Sequence, residues 1–198
     1  MMKWNYMLGL AFAASLMLAP AAHAQTSTWT IDANHSQADF QVRHLAVSNV
    51  RGSISGVKGA VVLDEKDITK SSVDASLAAG TVNTSNARRD TDLKSERFFD
   101  VDKFPGISFK STAITKIDGK LKITGDLTLR DVTKSVTLDL DGPAPPQKNP
   151  QTGKLVSGFS ASGMIKRSDF NFGNKSPASG TIGDDIKFTI DIEIAKND

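Results

Sequence analysis

The chain has 198 residues, no cysteine and a formal net charge of +2. Without cysteine neither a disulfide nor a thiolate metal site can form, so packing must supply the stability. Lys and Arg (24) nearly balance Asp and Glu (22), with no clustered basic run, and a nucleic-acid surface is therefore not expected.

Met1, Met2 and Lys3 precede an apolar block from Met7 to Ala19, followed by Pro20-Ala21-Ala22-His23-Ala24-Gln25. Positive, apolar and then small residues is the order of a secretory leader, with cleavage expected after Ala24. The block holds about 13 residues, short of the roughly 20 a helix needs to cross a bilayer, so a retained membrane anchor is not expected. No Cys follows the small-residue site, and a lipid-modified N-terminus is not expected either. Residues 1–24 are thus read as a signal peptide and 25–198 as one folded domain, whose charge falls to +1 once Lys3 is lost.

Period-two alternation then recurs along the chain, as expected of strands with one wet face. In chain order the candidates are Thr28 to Ala33, Ala38 to His44, and Val50 to Leu63, broken by Gly52, Gly56 and Gly59. Ser72 to Val82 follows. Ser85 to Phe99 reads instead as one or two helical turns, capped by Ser85 or Asn86. Ile107 to Ile117, Leu121 to Leu129 and Val136 to Leu140 resume the alternation, with a turn at Arg130 to Thr133. Gly142 to Gly153, rich in proline, reads as an exposed hairpin loop. Ser157 to Lys166 and Ile186 to Ile194 complete about eight strands.

Long antiparallel strands with one apolar face pair as two sheets or close into a barrel. Ser72 to Gly80 and Ser157 to Gly163 carry small side chains, which cannot fill a barrel interior. They either enclose an occupied apolar cavity or allow close sheet packing, and spacing alone leaves both open.

Several separated motifs resemble the YceI-like, polyisoprenoid-binding family over nearly the whole exported chain. Trp29-Thr30-Ile31-Asp32-Ala33-Asn34-His35-Ser36 with Phe40-Gln41-Val42-Arg43-His44-Leu45 is similar to its opening strands. Arg89-Asp90, Leu93-Lys94-Ser95, Phe98-Phe99-Asp100-Val101 and Phe104 to Thr112 resemble its middle stretch. Gly125 to Val136, Gly158-Phe159 and Ile165 to Phe170 complete the match. The resemblance implies an elongated eight-stranded antiparallel lipocalin-like barrel with a short helical segment. It implies a non-enzymatic periplasmic protein that holds an isoprenoid lipid, a quinone or a polyprenyl phosphate, for transport or storage. No other cofactor is implied. Self-association into a homodimer is left open. Where many members have a His between Arg-Asp and the following Leu, this chain has Thr91-Asp92.

On that reading Phe40, Val42, Leu77, Phe99, Phe109, Leu127, Phe159, Ile165, Phe170, Phe172 and Phe188 line the channel, and His35, His44 and Arg89 are headgroup candidates. As a metal pair on one extended strand, His35 and His44 would stand about 30 Å apart on opposite faces, so no metal site is expected. Arg89 and Asp90 could equally pair with a neighbouring loop. Gly52-Ser53-Ile54-Ser55-Gly56 places Ile54 where a hydrolase needs its serine, with no helix behind it. Paired acids for glycoside hydrolysis would need sugar-stacking aromatics, and Trp29 alone follows the leader, without Tyr. Two alternatives remain: an enzyme acting on an isoprenoid headgroup, and a stress-protective envelope protein docking through the Gly142–Gly153 loop.

Overall fold

The computed structural model describes Met1 and residues 26–197, so the leader and its cleavage site lie outside the described residues. Eleven strands and one helix follow in order: β1 (Thr26–Ile31), β2 (Gln37–His44), β3 (Ser48–Ser55), β4 (Lys58–Asp64), β5 (Ser72–Ala78), α1 (Ala87–Lys94), β6 (Gly106–Ile117), β7 (Lys120–Leu129), β8 (Val132–Asp141), β9 (Gln147–Lys148), β10 (Leu155–Lys166) and β11 (Ile182–Lys196). All pairings are antiparallel. The sheet runs β1-β4-β5-β6-β7-β8-β10-β11 and returns to β1, closing a barrel of eight positions. No described helix is long and apolar enough to cross a membrane.

Of the three strands beyond the eight ring positions, β9 is a short arm on β10 and the other two come from kinks. β1 and β2 lie end to end along one edge of β11, Ile31 opposite Ile194 and Gln37 opposite Asp191. β3 and β4 likewise form one interrupted strand against them, broken at Gly56, whose φ of 75° few other residues adopt cheaply. Of the three glycine breaks expected from the sequence this is the one that interrupts the strand, Gly52 and Gly59 lying inside β3 and β4. Beyond the kink, β3 touches the following chain mainly through the Ser53–Asn83 bridge and the Ser55 amide, which donates to Thr81 Oγ1 at 3.0 Å. At this end the ring is laced loosely.

The helix forms where Asn86 caps it, accepting a hydrogen bond from the Arg89 amide. The Pro-rich stretch forms the expected hairpin, Gln147 and Lys148 pairing with Val156 and Leu155. Inside, the ends of the barrel differ. Toward the β1 end Trp29, Val57, Val61 and Ile194 pack solidly. At the other end, α1 with Phe98 and Phe99 and the segment 167–181 with Phe170 and Phe172 lie across the opening, the Phe172 ring edge-on to Phe98 and Phe99 at 5.6 and 4.7 Å.

Close packing, the second of the two expected roles, holds at Gly163, and Gly125 of β7, outside the small-residue stretches, is packed as tightly. A Cβ on Gly125 would lie 2.5 Å from both the Phe109 ring and the Lys110 carbonyl, and one on Gly163 would lie 2.6 Å from Leu138. Large neighbours fill the space they leave. Gly125→Ala is expected to lower stability by about 1–3 kcal/mol. Urea midpoints check it, and adding Phe109→Leu should recover only part of the loss, because the carbonyl clash remains.

Candidate ligand cavity and its rim

β11 shows how the interior changes along the barrel. Its inward residues Ile182, Ile186, Phe188 and Ile190 line a cavity of about 480 Å³, Ile190 and Ile192 line a second of about 50 Å³, and Ile194 is fully buried. The large cavity lies at the loosely laced end, between the β2–β3 hairpin, α1 and the 167–181 segment. Its volume is within the roughly 300–1,000 Å³ usual for small-molecule sites. Leu77 and Ile190 line both cavities and stand at their junction.

Of the residues expected to line the channel, Phe40, Val42, Leu77, Phe99, Leu127, Ile165, Phe172 and Phe188 surround the large cavity. Phe109 and Phe159 do not: they line the small one, where β6 and β10 pass the denser half of the barrel. Phe170 lines neither. It is 1% exposed, sealed in the core by the turn of 3₁₀ helix that follows β10. Sequence reasoning missed Val50, Ile54, Leu93, Phe98, Ile107, Leu129, Ile186 and Ile190. Ile186 and Ile190 flank Phe188 on an alternating face already legible in the sequence.

The polar groups of the wall are few and gathered at the open end: Arg43, His44, Ser48, Arg89, Asp92, Arg167 and Thr181. His44 therefore lies at the cavity. Arg89 is there too, but its Nε donates to Thr84 Oγ1 at 2.8 Å and its Nη2 to the Thr84 carbonyl at 2.9 Å. Asp90 accepts from the Thr84 amide at 2.8 Å, so both residues also tie the loop before the helix. Asp92, at the departure from the family pattern, lines the cavity and pairs with Arg97.

Arg167 falls in the Ile165 to Phe170 motif without a role assigned from the sequence, and it is the most committed polar residue of the wall. It is buried, and its five N–H groups donate to Gly183 O (3.2 Å), Phe172 O (3.2 Å), Asn174 Oδ1 (3.0 Å), Ser179 O (2.8 Å) and Ile182 O (3.2 Å). Among the described residues no carboxylate stands within ion-pair distance of it. Its positive charge therefore faces the cavity end without a paired anion.

His35 corrects an expectation: it does not reach the cavity. The interruption between β1 and β2 turns it to the outer surface, where Nδ1 lies 2.9 Å from Asp32 Oδ2 and 3.8 Å from Glu193 Oε1. The same interruption is sewn to β11, the Asp32 amide donating to Glu193 O at 2.9 Å and the Glu193 amide to Ser36 Oγ at 3.0 Å. Asp32, His35 and Glu193 are a described group that could hold a cation, their ligand atoms lying within 4.8 Å of one another.

The Asp32 hydrogen bond, with the charges of Asp32 and Glu193, raises the His35 pKa above 6.5, and the His35 hydrogen bond lowers Asp32 below 3.8. Protonated His35 is favoured by folding, so its contribution is fully present below pH 6.5 and fades as pH rises through the folded value. The Asp32 contribution is present above pH 3.8 and fades as pH falls through its lowered value. An NMR titration should find His35 titrating above its ordinary value of 6.5, and Asp32→Asn should abolish most of that elevation. A His35 curve unaffected by Asp32→Asn would contradict this.

Chemically the cavity offers an apolar wall with its polar groups at the rim. Among the described residues no nucleophile, imidazole and carboxylate of the wall are joined by hydrogen bonds.

Residues 29–194 match the YceI-like domain. The UPF0312 protein SA2479 of Staphylococcus aureus is 34% identical over 172 residues, covering 85% of this chain and 98% of that protein. Among solved structures, the YceI protein of Campylobacter jejuni is 33% identical with a TM-score of 0.67, covering 79% of this chain and 90% of that one. BcnA of Burkholderia cenocepacia (TM-score 0.70, 19% identity, 82% and 98% covered) and a polyisoprenoid binding domain of Saccharophagus degradans (0.61, 10%, 85% and 98%) share the fold. With the closed barrel, its single helix and the match across almost every strand, the chain belongs to the YceI-like family.

Proposed function

We propose that this protein binds a long-chain isoprenoid amphiphile, its tail in the barrel and its headgroup at the rim, and carries or stores it in the periplasm. The observation that carries the reading is the cavity of about 480 Å³, walled by Phe, Ile, Leu and Val, with its cationic groups confined to one end. A prenyl tail gains about 25 cal/mol for each Å² of apolar surface it buries there. The Saccharophagus degradans domain of the same fold, described as polyisoprenoid binding, supports the same class of ligand. Arg43, His44, Arg89 and Arg167 at the rim suit a phosphate or a quinone carbonyl.

The leader read in residues 1–24 would deliver the chain across the inner membrane, and cleavage before Gln25 would leave it diffusible. A prenyl tail cannot pass through water between two membranes uncovered, which gives export a purpose. Binding is favoured over catalysis because the wall supplies apolar area and cations but no hydrogen-bonded reactive chain. Native mass spectrometry and organic extraction of protein taken from a periplasmic fraction test the reading. An isoprenoid recovered in near-stoichiometric amount is expected. Repeated recovery of lipid-free protein, with a filled interior in a crystal, would overturn it.

A further inference from the structure

The hairpin joining β2 to β3 is built against the habits of its kind. Leu45-Ala46-Val47 spans the turn, with φ of 51° at Leu45 and 57° at Ala46, the left-handed region that tight hairpins give to Gly, Asn or Asp. Leu45 is 59% exposed and Val47 81%. At the opposite end of the barrel the β6–β7 turn uses Asp118 and Gly119 for the same positive φ values, so this fold has ordinary turn chemistry at its disposal. The Leu-Ala-Val tip is disfavoured by backbone preference and by water alike, which is the pattern of a surface kept for contact.

Its position says with what. His44 and Ser48, which flank the turn, line the large cavity, so the tip is part of the rim. From Phe40 to Leu63 the chain holds no Asp or Glu, whereas Arg43, Arg51 and Lys58 fall within it, all exposed. Arg43 braces the turn, Nη1 donating to Asn49 Oδ1 at 3.1 Å and Nη2 to Ala46 O at 2.8 Å, and so keeps its charge beside the apolar tip. Across the opening, Lys175 and Ala178 are exposed on the 167–181 segment. Exposed apolar residues beside cations, with the one carboxylate of the hairpin, Asp39, at its far end from the tip, fit the surface of an anionic phospholipid bilayer.

We propose that the β2–β3 tip docks the protein on such a bilayer, Leu45 and Val47 entering the interface and Arg43 and Arg51 resting on lipid phosphates, with the cavity mouth turned to the membrane. The purpose of docking rests on the carrier reading above; the docking itself does not depend on cargo. Two side chains entering the interface make a weak, reversible contact, which suits a protein that must leave again.

The test is sedimentation with phosphatidylethanolamine–phosphatidylglycerol vesicles and with pure phosphatidylcholine vesicles. Chains starting at Thr26 are used, since every ring-closing strand lies within 26–197. The wild type is expected to partition onto the anionic vesicles and to be released by salt. Leu45→Asp with Val47→Asp should lower that partition by about tenfold or more. A second variant, Leu45→Asn with Ala46→Gly and Val47→Ser, relaxes the turn; it should fold at least as well and still lose binding. Equal partition of either folded variant and wild type, or no partition of wild type, would overturn the proposal. Lipid content measured on the same preparations separates the two readings: docking by a lipid-free barrel would remove the carrier reading and keep this one.

Discussion

On the carrier reading proposed above, replacing Leu77 by Ala is expected to lengthen the isoprenoid tail held in the barrel, and replacing Ile190 by Trp to shorten it. Both residues line the large cavity of about 480 Å³ and the small one of about 50 Å³, so they form the floor of the first and the ceiling of the second. Beyond them Ala75 and Ala161 leave the little space that exists, and below these Trp29 and Ile194 close the barrel. Truncating Leu77, which is buried, should cost the empty protein about 2–5 kcal/mol through lost contacts and the void left behind. A tail reaching through that void regains about 0.8 kcal/mol for each methylene it buries, so one further isoprene unit offsets most of the cost. The empty variant should therefore melt well below the wild type, and the loaded variant near it. Ile190→Trp fills the junction instead. Overpacking costs about 1–3 kcal/mol, and the large cavity beside it can take part of the ring. The measurement is the distribution of tail lengths extracted from the three proteins made in one host. The same distribution from all three would remove the junction as a ruler.

That ruler lies where sequence patterning pointed only in part. The faces of β11 and β7 were legible because a strand's inward residues recur every second position, and Phe188 and Leu127 do line the large cavity. The helix was legible from Asn86, whose side chain caps it through a local bond. The strands of the ring were legible as runs of alternation, although Thr28 to Ala33 and Ala38 to His44, read as two strands, share one ring position, and Gly56 marked a real break. Where in the barrel space would open was not legible. The small residues of β5 and β10 suggested it near Ala75 and Gly163, yet Leu138 occupies the room beside Gly163. The cavity arises instead because β3, past its kink, meets the next strand's continuation through little more than the Ser53–Asn83 bridge, and pairing between chain segments so arranged leaves no local signature. His35 fails as a headgroup group for a related reason: alternation counted through Asp32 to Ser36 loses its phase where the strand is interrupted. Phe170 sits in the same motif as Ile165, but the chain leaves the strand after Lys166 and the count of faces ends there.

Arg167 was the least legible residue of all, and its removal should be the most damaging at this end of the barrel. Four of its five hydrogen bonds go to backbone carbonyls, those of Phe172, Ser179, Ile182 and Gly183. Any residue type offers a carbonyl, so no sequence pattern announces such a partner. That guanidinium stands in for a sheet neighbour to two carbonyls of the segment between β10 and β11 and to two more at the start of β11. Arg167→Met keeps much of the apolar stem but leaves these acceptors without donors, at an expected cost of about 3–5 kcal/mol. Arg167→Lys should recover little, because an ammonium has three donors on a point and cannot span acceptors arranged around a planar fork. The loss should also be local before it is global. Hydrogen exchange should rise first at amides of residues 171–183, while the β6–β7 and β7–β8 ladders hold their protection. Since Phe172 and Ile182 of this segment form cavity wall, the same opening should release bound lipid faster, read as a higher dissociation rate to acceptor vesicles. Uniform loss of protection across the barrel would mean that Arg167 supports the whole fold; loss confined to 171–183 with faster lipid release would make it the clasp of the cavity's cover.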